Sequence, residues 1–152
     1  MSLTAGLKTP RDMLAKLHTE HSRLKTSVTS GDLMNFAITG YHLIEWIRKN
    51  PSTSVTAKNE LEAMYRNPDI GVCRDITNEA KHFTLKKDYE DRVTEKTSAI
   101  GGYGVGGYGK GPYGIGEESI VVVLLDRTRF DSLTWAQRVV DAWEAFFSKH
   151  GL

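Results

Sequence analysis

The sequence predicts a mostly α fold: a bundle of four or five helices with one β-hairpin inserted before the last helix. Three observations lead there. Apolar residues recur at helical spacing over most of the chain, and Gly, Pro and Ser/Thr clusters cut that pattern into helix-length segments. Between about residues 90 and 130 the helical period gives way to β-branched stretches on either side of a glycine-rich run. With 152 residues, 39% of them hydrophobic, the chain suffices for one core and not for two, so 1–152 reads as a single domain.

Each element has its own signal. Thr9-Pro10-Arg11-Asp12 opens the first helix, with Thr9 as cap, Pro10 at the first helical position and Asp12 three residues after the cap. Met13, Leu14, Leu17, His21, Leu24 and Val28 follow as its apolar stripe, in which His21 reads as a core histidine. Ser30-Gly31-Asp32 breaks that helix and caps the second, which runs to Pro51 with Leu33, Phe36, Ala37, Gly40, Leu43, Ile44 and Ile47 on its core face. Met34, Ile38, Tyr41 and Trp46 lie around its far side, among Asn35, His42 and Glu45. A helix apolar on both sides is covered on both sides, either inside the bundle or against a second subunit, and the expectation for this face is a homodimer contact. A short helix near Ala57 to Tyr65 comes next. Asn67-Pro68-Asp69 then starts another, whose core stripe is Val72, Cys73, Ile76, Ala80 and Phe83. "RVTEKTSAI" and "SIVVVLLD" read as the hairpin strands, with a turn at Arg127-Thr128. The last helix has a Thr134/Gln137 capping box and a stripe of Trp135, Val139, Ala142, Trp143, Phe146 and Phe147.

A net charge of +1 with 26% charged residues gives no strong field of either sign, so bulk attraction to nucleic acid or to a membrane surface is not implied. Cys73 is the only cysteine, which excludes an internal disulfide and a cysteine-based zinc site and suits a reducing compartment. "MSLTAGLKTPRD" lacks the apolar core of a signal peptide, and no apolar run approaches the roughly 20 residues that span a bilayer. The expectation is a soluble, cytoplasmic protein with no membrane partner.

Gly101 to Gly116 holds three pentads, GGYGV, GGYGK and GPYGI, with nine glycines among sixteen residues. Gly104 to Gly109 fits G-x-G-x-x-G, and Gly104 to Lys110 fits most of a P-loop. Both motifs need a helix immediately after them to hold phosphate, and a P-loop needs Ser or Thr after its Lys. Here Gly111 and Pro112 follow Lys110 and a strand comes next, so no nucleotide cofactor is expected. The run reads as a hairpin tip. Its functional alternative is an aromatic loop using Tyr103, Tyr108 and Tyr113, a weak nucleic-acid grip with Lys110 as its only charge.

The richest chemistry lies between Arg74 and His82. Arg74, Asn78 and His82 are spaced four residues apart, each turned about 40° from the last, and form a slanting stripe with Asp75 and Lys81 beside it. The wheel places this stripe opposite Val72, Ile76 and Phe83, on a face turned away from the core. "NFAITGYHLIEWIRKN", "CRDITNEAKHF" and "WAQRVVDAWEAFF" together resemble a group of uncharacterised bacterial and phage-borne proteins and, more distantly, the HEPN superfamily of small helical domains. In that superfamily an Arg and a His on one helix, with four to six residues between them, meet their symmetry mates across a dimer and cleave RNA without metal. In this chain seven residues separate Arg74 from His82, and Asp75 follows Arg74 where Asn is common.

The resemblance implies a homodimer acting on RNA as a metal-independent ribonuclease of toxin or defence type, or a non-catalytic interaction or regulatory protein of the same fold. Arg74, Asn78 and His82 would be catalytic, and Asp75, Lys81 and His42 would contact substrate. The chemistry is coherent, because attack by a 2′-hydroxyl needs an acid or base near neutral pKa, supplied by His82, and a cation for the developing phosphorane charge, supplied by Arg74. A rival metal reading uses Glu79-x-x-His82 and His42-x-x-Glu45, two i, i+3 pairs of the kind that hold metals in helical bundles. The second pair runs in reverse order and further inward carboxylates are missing, so no metal is expected.

Overall fold

A computed structural model describes residues 5–82, 93–100, 118–124 and 129–152, with backbone alone for residues 79–82, 93–100, 118–124 and 130. Among the described residues the body of the molecule is five helices: α1 (Pro10–Thr26), α2 (Ser30–Lys49), α3 (Val55–Arg66), α4 (Pro68–His82) and α5 (Ser132–His150). Between α4 and α5 the backbone pairs β1 (Val93–Ile100) with β2 (Glu118–Leu124), and β2 with β3 (Arg129–Asp131), both antiparallel. The pentads Gly101 to Gly116, Phe83 and the Arg127-Thr128 turn lie outside the described residues.

Local chemistry sets the helix starts. Thr9 and Asp12 form a reciprocal capping box on α1: the Thr9 hydroxyl accepts from the Asp12 amide and the Asp12 carboxylate accepts from the Thr9 amide. The Lys8 amide, and after it the Thr9 amide and hydroxyl, hold the Asp12 carboxyl below its ordinary value. Two expected starts move. Thr29, rather than Ser30-Gly31-Asp32, caps α2, because its hydroxyl is the oxygen that reaches the Asp32 amide and Ser30 is already helical. Asp131, rather than Thr134, caps α5. Its carboxylate takes the amides of both Leu133 and Thr134, while Gln137 turns instead to Asp141 at 2.8 Å. A charged acceptor serving two orphan amides displaces the neutral box. At the other end of α5, Gly151 takes the left-handed conformation that closes a helix (φ 64°).

α2 is the central helix, packing against α1, α3, α4 and α5. Every residue of its expected core face is buried, as are Met13, Leu14, Leu17 and Leu24 of α1 and Trp135, Val139, Trp143 and Phe147 of α5. Gly40 marks where these helices come closest. A Cβ built there would lie 3.1 Å from Cys73 Sγ on α4 and 3.3 Å from Val139 Cγ1 on α5. The Trp143 indole donates to the Gly40 carbonyl at 2.9 Å, so α5 is tied to α2 at the same point. Trp135 makes a matching bond to the Asp69 carbonyl at 3.0 Å, and Arg138 grips the Asp69 carboxylate through both Nε and Nη2, tying α5 to the start of α4. Glu60 of α3 receives Lys149 and His150 of α5 at 2.8 and 2.9 Å.

Candidate functional site

α4 carries the candidate site, and its surroundings decide what the site can do. Asn67 caps the helix, its side-chain oxygen accepting from the Asp69 amide at 2.9 Å. From Ile70 to Thr77 every residue is buried. Two full turns without an exposed position mean that no direction around this part of α4 is open, because α2, α3 and α5 all pack on it.

The expected outward polar stripe is therefore corrected at its first two members. Arg74 is 8% exposed and Asp75 1% exposed. For Arg74 the reason is α3: the short connection at Asn67 folds its last turn back over α4, so the direction opposite Val72 and Ile76 meets Tyr65 instead of solvent, whereas Asp75 stands only about 60° around the helix from Val72 and flanks the core face itself. The Arg74 guanidinium lies 5.7 Å from the centre of the Tyr65 ring. Its Nε and Nη2 both donate to Asp75 Oδ1, at 3.2 and 3.1 Å. Burial works against the charge on Arg74, but the hydrogen bonds and charge of Asp75, helped by Tyr65, outweigh it and hold the guanidinium protonated above its ordinary value. Sequence reasoning missed Tyr65. The signal available was the single-residue break between α3 and α4, which brings the end of one helix onto the flank of the next.

Asn78 is half-buried, and its Nδ2 is buried with no hydrogen-bond partner among the described residues. An amide donor in that state calls for an acceptor oxygen. His82 is the last residue of α4; its side chain and those of Glu79 and Lys81 lie outside the described residues. His42 is exposed on α2, its ring 6.1 Å from that of Tyr41, so it shares no open surface with the buried Asp75.

The metal reading finds no support from its describable half. Glu45 is engaged by Arg48 and by Lys49, and among the described residues no three His, Cys, Asp or Glu side chains converge as a metal site. Cys73 is fully buried in the core, and burial pushes its thiol well above the usual value, which leaves it a small apolar filler and no nucleophile. His21 is 5% exposed and packs 5.9 Å from the Phe36 ring, as a core histidine should. Among the described residues no helix is long and apolar enough to cross a membrane. Comparison of the chain with protein-family models, with curated proteins and with solved structures gives no match.

Proposed function

We propose that the chain is a HEPN-like helical protein, with a β-hairpin inserted between α4 and α5, that works by binding as a homodimeric interaction or regulatory protein. The observation that carries this reading is the burial of Arg74 against Asp75 and Tyr65. A cation that stabilises a reacting phosphate must stand where the phosphate arrives, and this guanidinium is used inside the fold. The homodimer contact is the far face of α2. Met34, Tyr41 and Trp46 pack at the edge of the core and Ile38 completes the face. An isologous contact of this kind is broken by one charge near its centre.

A second reading is the metal-independent ribonuclease of toxin or defence type, with Arg74, Asn78 and His82 in catalytic roles and Asp75, Lys81 and His42 at the substrate. The unpartnered Nδ2 of Asn78, a donor suited to a phosphate oxygen on the same helix as Arg74 and His82, favours it.

One experiment separates the two. Wild type at micromolar concentration sediments as a dimer and Ile38→Glu as a monomer, while a mixed single-stranded RNA pool in EDTA survives incubation with either. Cleavage in EDTA that falls by about 100-fold or more in a folded His82→Ala variant would establish the ribonuclease instead. His82 is the residue to change, because removing Arg74 strands a buried Asp75 and confounds activity with folding.

A further inference from the structure

A groove of about 510 Å³ runs along α1, with Leu7, Ala15, Lys16, Glu20 and Arg23 in its lining. That volume is in the range of small-molecule sites. Every lining residue comes from α1 or the segment just before it, so the groove takes none from the α2 contact face or from α4. The Glu20 side chain is only 6% exposed, an unusual state for a carboxylate. Lys16 is spent: its ammonium donates to Glu20 Oε1 at 3.0 Å and to Thr39 Oγ1 of α2 at 2.8 Å, which fixes the carboxylate in place. Glu20 Oε2 is buried and makes no hydrogen bond among the described residues. Arg23 Nη1 stands 3.6 Å from it, past hydrogen-bond length, on a side chain that is 58% exposed. A buried carboxylate oxygen without a donor is costly, and a cationic N–H brought to it removes that cost.

We propose that this groove binds a free α-amino acid with an apolar side chain. The ligand's α-ammonium donates to Glu20 Oε2, its α-carboxylate takes the Arg23 guanidinium, and its side chain lies on Leu7 and Ala15. Glu20 and Arg23 stand three residues apart on one helix face, as a loose pair of opposite charges. An amino acid carries the complementary pair on a single carbon. A simple anion would meet the carboxylate and a simple cation the guanidinium, so the pair selects a zwitterion. Leu7 is partly buried against the core and gives the ligand's apolar side chain a supported wall. The site goes beyond the interaction reading above and does not rest on it.

Calorimetric titration with L-leucine should give saturating heat, and Tm should climb with the logarithm of leucine concentration above the Kd. N-acetyl-L-leucine lacks the ammonium and L-leucinamide lacks the carboxylate. Each should bind at least about tenfold more weakly, the loss that goes with one hydrogen bond to a charged group. Glu20→Gln, which keeps the shape and removes the charge, should abolish the response to L-leucine. Arg23→Gln changes an exposed side chain, so the fold is not at stake; it should weaken L-leucine by the same factor and leave L-leucinamide unchanged. Absence of saturating heat at millimolar L-leucine would overturn the proposal, as would a Tm that rises only linearly with concentration, the mark of an excluded solute. Equal affinity for N-acetyl-L-leucine, or an Arg23→Gln variant that binds L-leucine as the wild type does, would overturn it too.

Discussion

Cys73 and the Arg74–Asp75 pair are neighbours in sequence, yet the bundle closes around them by opposite means. Cys73 meets Gly40, where helices approach so nearly that a single added carbon would sit 3.1 Å from its sulfur. Arg74 and Asp75 bring two unit charges into the same interior and hold them by mutual bonds and the Tyr65 ring. The first contact is limited by volume and the second by charge. Close packing tolerates neither extra atoms nor missing ones, whereas a buried ion pair tolerates replacement as a pair but not the loss of one member.

The largest expected effect breaks the charge-limited side. Asp75→Ala should cost about 3–5 kcal/mol in urea unfolding, because it leaves Arg74 charged and buried. The double variant Arg74→Met, Asp75→Leu should cost clearly less than that single change; an equal or greater cost would show that packing, not charge, governs the region. Next comes the volume-limited side. Gly40→Val should destabilise by about 1–3 kcal/mol through overpacking against Cys73 and Val139. Gly40→Ala should cost less, since the gain of about 1 kcal/mol in helix propensity offsets part of the clash. A raised Tm for Gly40→Val would mean that the helices stand further apart than described.

The smallest effect is a pH dependence from His21. Burial pushes its imidazole below the ordinary value of 6.5, and Lys25 and His18 act in the same direction. Unfolding therefore binds a proton below that pH, so this contribution leaves stability intact above 6.5 and removes it progressively as pH falls. Melting temperatures of wild type and His21→Leu, measured between pH 7.5 and about pH 5, should diverge in slope only in the acidic half. Parallel curves would place the imidazole in an environment as wet as the unfolded chain.

The helices were legible because their signal is periodic and local: every residue of the α2 stripe is buried, whereas the α5 stripe omitted the buried Ala136 and Val140 and included the half-buried Ala142. Caps were legible where one side chain stood alone, as at Thr9, and misplaced where two candidates competed, as at Thr29 and Asp131. What periodicity does not carry is which neighbour covers a given direction. The wheel placed Arg74 correctly opposite Val72, but only the fold puts Tyr65 there. The same limit applied to Trp46, which shares a groove with Lys8 and Pro10 from the start of α1.

The two buried indoles have a use beyond packing. Trp143 bonds to a carbonyl of α2 and Trp135 to a carbonyl of α4, so each side-chain N–H reports a different seam of the same helix. Their deuterium uptake, resolved as two signals in a nitrogen-labelled sample, times the detachment of α5 from α2 and from α4 separately. Equal rates mean that α5 leaves as a unit in global unfolding, and unequal rates mean that one seam breathes while the other stays shut.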